Sequence, residues 1–123
     1  GYHRIGSYIR KQSIDEMKHA EKLIERILFL DGTPKMEYLD LNIGATVREQ
    51  IEADCKLEVA AVAMYNKFVQ MAREAGDDQS RELFSQLLKD EEEHVDWLEA
   101  QLHQIKEIGY EQYLSLQIGG QNE

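Results

Sequence analysis

Two stretches of this chain repeat one arrangement of chemically useful residues: Glu16-Met17-Lys18-His19 and Glu91-Glu92-Glu93-His94. Each contains Glu-x-x-His within a long helical pattern. On an α-helix, residues three apart lie about 60° apart round the axis and about 4.5 Å along it. A Glu and a His so spaced project from one face and can ligate one metal site. Two such helices face to face would offer two His and two Glu to a pair of metals. Oxygen and imidazole donors without thiolate suit Fe(II), Mn(II) or Zn(II) and disfavour copper(I) or an iron–sulfur cluster. Bridging carboxylates would hold two such ions about 3.5–4 Å apart. A pair of this kind can reduce oxygen or peroxide by sharing the electrons.

The elements that must carry these groups read as helices. The first pattern covers residues 2–30, with an apolar stripe through Ile5, Ile9, Ala20, Leu23, Ile27 and Leu30. Gln12, Glu16 and His19 lie on the same stripe. Gly32 is the expected left-handed residue that ends this helix, and Pro34 blocks continuation. A long connection follows to Gly44, and its apolar Met36, Tyr38, Leu39, Leu41 and Ile43 must pack somewhere. Such a connection can return along a bundle.

The second pattern covers residues 46–75, with Thr46 as N-cap and Glu49 three residues on. Its stripe is Val47, Ile51, Glu58, Ala61, Val62, Tyr65, Phe68, Val69 and Ala72, with Asp54 and Cys55 on it too. Glu58 occupies a position where a bundle would normally place Leu or Ala. The short break Gly76-Asp77-Asp78 makes the flanking helices antiparallel neighbours. The third pattern covers residues 79–108, through Phe84, Leu87, Leu88, Glu91, His94, Val95, Leu98, Leu102 and Ile105. Gly109 closes it, residues 110–118 suit a short fourth helix, and residues 119–123 read as a frayed tail.

Composition agrees. With 31% charged residues, one Pro and eight Gly, the 123-residue chain has little turn chemistry for a β fold. The expected architecture is one all-α domain over residues 1–123, an up-down helical bundle. A net charge of −10 argues against nucleic acid or an anionic membrane as partner. No apolar run is long enough to span a bilayer. The single cysteine, Cys55, allows no internal disulfide and no Cys-x-x-Cys knuckle, so a reducing cytoplasmic location fits. Cys55 reads as a small packing residue, Trp97 as packing near the site, and His3 and His103 as surface residues. Asp54, one turn before Glu58, is either an acceptor orienting a ligand or a solvated charge.

Core carboxylates need compensation. Burying one unpaired costs several kcal/mol. Three of them, Glu16, Glu58 and Glu91, would exceed the roughly 5–15 kcal/mol stability of a small domain. Two divalent cations balance three carboxylates and two neutral imidazoles almost completely.

The same residues carry a resemblance. Ser13-Ile14-Asp15-Glu16-Met17-Lys18-His19-Ala20-Glu21, then Ile24-Glu25-Arg26-Ile27-Leu28-Phe29-Leu30-Asp31-Gly32, are similar to bacterioferritin. So are Leu41-Asn42-Ile43-Gly44 and Asp90-Glu91-Glu92-Glu93-His94-Val95-Asp96-Trp97-Leu98-Glu99. The resemblance covers essentially the whole chain. It implies a 24-subunit shell that oxidises Fe(II) with oxygen or peroxide at an intra-subunit di-iron site and stores the ferric mineral. It further implies that Glu16 and Glu91 bridge the irons, His19 and His94 cap one each, and Glu58 is a terminal ligand. Met17 matches the family's ligand to a haem b shared across a dimer, whose role would be to pass electrons inward.

One departure accompanies the match. The family has a long helix before these, with one more terminal Glu for the iron beside His19, and Gly1 falls where that helix and its loop would end. The favoured expectation is that the sequence is part of a longer protein. The other is that the chain is short and that another chain or a rearranged assembly covers the gap. Two rival functions follow: a structural or haem-bearing subunit without competent iron oxidation, and a rubrerythrin-like di-iron peroxidase. Met17 and the lack of a rubredoxin-like cysteine module count against the latter.

Overall fold

A computed structural model gives the fold and describes residues 1–37 and 43–119. Four helices follow in order: α1 (His3–Phe29), α2 (Val47–Glu74), α3 (Asp78–Ile108) and α4 (Tyr110–Leu116). Among the described residues there is no strand. The all-α expectation of three long helices and one short one holds. By its internal contacts the chain divides into two compact units. One contains α1, the end of α3 from Glu107 and α4; the other contains α2 and α3 as far as Lys106.

In the first unit, Ile5, Gln12 and His19 are the buried residues of α1, spaced seven apart on one face. Ile9, Glu16 and Leu23 flank them, half-buried. Three residues assigned to this stripe are exposed instead: Ala20, Ile27 and Leu30. Ala20 is a further 100° round the axis from His19. Ile27 and Leu30 keep the period but lie in the last turn, and burial requires a covering surface as well as a period. Leu28 and Phe29 are exposed beside them.

The end of α1 also differs from expectation in one residue. The left-handed conformation belongs to Asp31, at φ 61°, and not to Gly32. The Asp31 N–H donates to the Leu28 carbonyl at 3.1 Å and the Gly32 N–H to the Ile27 carbonyl at 2.8 Å. This is a Schellman ending. Asp tolerates the left-handed region better than most residues because its short polar side chain can bond locally. Gly32 is required for closeness instead: a Cβ there would lie 2.9 Å from Ile27 Cγ2.

Tyr113 of α4 is fully buried. The Arg4 N–H donates to the Gln117 carbonyl at 3.1 Å, which ties α1 to the end of α4. That helix stops at Leu116, two residues short of expectation, with Gln117 as its C-cap. Burial, with Tyr110 adding to it, pushes the Tyr113 phenol up to about 12, against about 10 in an unfolded chain. The neutral phenol is the form that folding favours. Its stabilising effect is whole below about pH 10 and is lost as pH rises through 12. Alkaline melts should therefore show a fall over that window that is smaller in Tyr113→Phe.

The second unit is a helical hairpin. At the start of α2, Thr46 Oγ1 accepts from the Glu49 N–H at 3.1 Å. Glu49 reaches back to the Ala45 N–H at 2.9 Å, one residue earlier than in a standard capping box. At its other end, Gly76 has φ 70°. The Gly76 and Asp77 N–H groups donate to the carbonyls of Arg73 and Ala72, closing a second Schellman ending. Asp77 then caps α3: its Oδ1 accepts from the Ser80 N–H at 3.1 Å, and its Oδ2 accepts from the Ser80 hydroxyl. The expected tight break is thus a turn in which one Asp serves both helices.

Every residue assigned to the stripes of α2 and α3 is buried or half-buried. Phe68 meets Phe84 with ring centroids 5.3 Å apart. Ten residues further from the turn on each helix, Glu58 meets His94. The antiparallel register is therefore unbroken for three turns.

In the connection, Met36 and Ile43 are 82% and 76% exposed, against the expectation that they pack. Tyr38, Leu39 and Leu41, and the tail from residue 120, lie outside the described residues.

Candidate metal centre

In the α2–α3 hairpin, Glu58 comes from the middle of α2, and Glu91 and His94 come from successive turns of α3. Each offers a ligand atom within 4.8 Å of the others. His94 Nδ1 lies 3.5 Å from Glu91 Oε2 and 3.8 Å from Glu58 Oε2. Glu91 and His94 are buried, at 1% and 6% exposure, and the Glu58 side chain is at 12%. Leu87 and Leu98, each at 1%, close the apolar stripe one turn before Glu91 and one turn after His94.

In the other unit, α1 shows the same geometry. His19 Nδ1 lies 3.6 Å from Glu16 Oε2. His19 is buried, while Glu16 is half-buried with its side chain 42% exposed. The two Glu-x-x-His pairs thus agree to 0.1 Å in the same atom pair.

These separations are too long for N–H···O hydrogen bonds, which lie near 2.7–3.2 Å. They are close to the roughly 3–3.5 Å between two donors on one first-row ion with bonds of about 2.0–2.2 Å. The donors are of the type such an ion takes: carboxylate oxygen and imidazole nitrogen. In type and spacing these side chains could hold a metal ion.

Asp54 is half-buried one turn before Glu58. Burial, and then the Glu58 charge, raise its pKa. Cys55 is a half-buried free thiol. Burial raises its pKa, and the charges of Glu99 and Glu58 add to the rise. The thiolate is thereby disfavoured, consistent with a packing residue. Trp97 is half-buried and His103 exposed; His3, expected at the surface, is half-buried within the first turn of α1.

Met17 faces away from the Glu16–His19 pair. It is 62% exposed, with Ile14 at 41% and Leu28 at 56%, and Ile24 half-buried on the same outer flank of α1. A thioether in an apolar setting suits the iron and the flat face of a haem.

Sequence reasoning did not single out two buried polar residues of α3, Ser80 and Gln101. The available signal was the spacing of seven through Ser80, Leu87, His94 and Gln101. Ser80 is explained by its bonds to Asp77.

Comparison with known proteins adds a strong match. The family model Ferritin, a ferritin-like domain, matches residues 1–108. A bacterioferritin of Brucella melitensis biotype 1 is 45% identical over 92% of this chain and 71% of its own length. Bacterioferritins of Mycobacterium avium and Streptomyces coelicolor are 40% and 39% identical, over 92% and 94% of this chain and 72% and 70% of theirs. The chain belongs to the bacterioferritin family. Its fold is ferritin-like, and the matched residues include every position of the candidate centre. No described helix is long and apolar enough to cross a membrane.

Proposed function

We propose that this chain is an iron-storage ferroxidase subunit and that its substrate is Fe(II). In this reading Glu16 and Glu91 bridge two irons, His19 and His94 cap one each, and Glu58 binds the iron beside His94. The observation that carries it is the repeated placement of His Nδ1 at 3.5–3.6 Å from a Glu Oε2 on two helices. Membership of a family whose relatives are bacterioferritins supports the same reading. Iron is substrate here. Two Fe(II) ions each give one electron to oxygen, and two protons complete hydrogen peroxide. The protein supplies fixed donors, burial and charge balance.

Met17 would hold a haem iron jointly with the Met17 of a second copy, and the haem would supply electron transfer. The apolar flank around Met17 fits that group. Self-association into dimers and a hollow shell, a single ferritin-like domain and a cytoplasmic location complete the proposal.

The test is anaerobic Fe(II) titration followed by admission of oxygen. Binding near two irons per chain and oxidation faster than in buffer are expected. Binding of no iron, or oxidation at the buffer rate with haem still bound, would replace this reading with that of a haem-bearing structural subunit.

A further inference from the structure

All four methionines of the chain are exposed: Met17 at 62%, Met36 at 82%, Met64 at 42% and Met71 at 53%. Methionine is among the residue types most often buried. The buried apolar residues of both units are Ile, Leu, Tyr and Ala, with no Met among them. Met17 is accounted for by the haem reading. The other three have no role in the centre described above. Met64 and Met71 share one flank of α2, six and thirteen residues beyond Glu58. That places them about 9 and about 20 Å along the helix axis from the proposed ligand and about 120–140° round it.

We propose that Met36, Met64 and Met71 are sacrificial oxidation sites that consume hydrogen peroxide. The peroxide source rests on the ferroxidase reading, since two-electron reduction of oxygen releases it beside α2. A sulfur lone pair attacks one peroxide oxygen. The S–O bond forms as the O–O bond breaks, and the transferred oxygen sheds its proton to the departing hydroxide, giving water. Sulfur loses two electrons and peroxide gains them. The product is methionine sulfoxide, which cellular reductases return to the thioether.

Position makes the reaction harmless. A sulfoxide is polar, and in a core it disrupts packing. On an exposed flank the sulfoxide oxygen can turn to water. A thioether also has no proton to lose, so its reactivity does not wait on pH. The half-buried Cys55 and Trp97 are less accessible targets. A competing use of exposed Met is as an adaptable binding surface, and covered sulfur would resist peroxide.

The experiment has two arms on the assembled protein: added hydrogen peroxide alone, and repeated cycles of Fe(II) with oxygen. Peptide mass spectrometry should find one added oxygen on each of Met36, Met64 and Met71 before Trp97 or Cys55, with helicity unchanged. The triple variant Met36→Leu/Met64→Leu/Met71→Leu should begin with the parent's iron-oxidation rate. It should then lose half of it in about half as many cycles, with oxygen appearing on Trp97. Unmodified Met64 and Met71 after added peroxide, or equal durability of the triple variant, would overturn the assignment. Failure of the parent to oxidise iron would sink the functional reading instead, and the peroxide arm alone would then decide this one.

Discussion

Glu91→Ala is expected to lower Fe(II) oxidation by a hundredfold or more and to raise the melting temperature of the metal-free protein. The first effect follows from geometry. Glu91 is 1% exposed and its Oε2 lies 3.5 Å from His94 Nδ1, and the proposed function makes it a bridge between the two irons. Changes even to groups that only orient metal ligands cost about 10–100-fold, and a bridging ligand should cost at least that. The second effect has the opposite sign because the metal-free site holds two carboxylates and an imidazole within 4.8 Å. Removing one charge relieves repulsion and desolvation there. Stopped-flow oxidation and calorimetry on the same preparation check both. A variant that loses activity and stability together would indicate a folding defect; unchanged oxidation would remove Glu91 from the centre.

Leu98→Ala should cost about 2–5 kcal/mol of stability. Leu98 is 1% exposed, one turn beyond His94, and the cavity would open within the buried stripe of α3. Leu57→Ala is the control, since Leu57 is 51% exposed on α2 and surface changes usually stay within about 0.5 kcal/mol. Urea unfolding of the three proteins separates the outcomes. Equal midpoints would mean that Leu98 does not hold the core shut. A secondary effect is expected as well: iron oxidation in Leu98→Ala slows, because the change lies one turn from His94 on the same buried stripe.

Much of this could be read from residue order alone, for a physical reason. Helical periodicity reports which residues share a face, so the stripes of α2 and α3, with Glu58, Glu91 and His94 on them, were legible, as were Thr46, Gly76 and Gly109 at helix ends. Periodicity does not report whether anything covers the face. Ile27 and Leu30 kept the period of α1 and are exposed. Met36 and Ile43 were apolar and are exposed too. Nor does it distinguish which of two adjacent residues takes a left-handed φ. Asp31 does so, and Gly32 lies close against Ile27. The ion-sized gap between each Glu and His is a side-chain geometry, beyond what spacing alone specifies.

The turn at Asp77 sets a phase. With its backbone closing α2 and its carboxylate opening α3, no slack residue lies between the two helices. One residue inserted at 75–77 would rotate all of α3 by about 100° relative to α2. Glu91 and His94 would leave Glu58, and their places would pass to Asp90 and Glu93. The hairpin therefore works as an index pin. An insertion would be read at Asp77 as a change of angle, and the centre would be dismantled without a single ligand being altered.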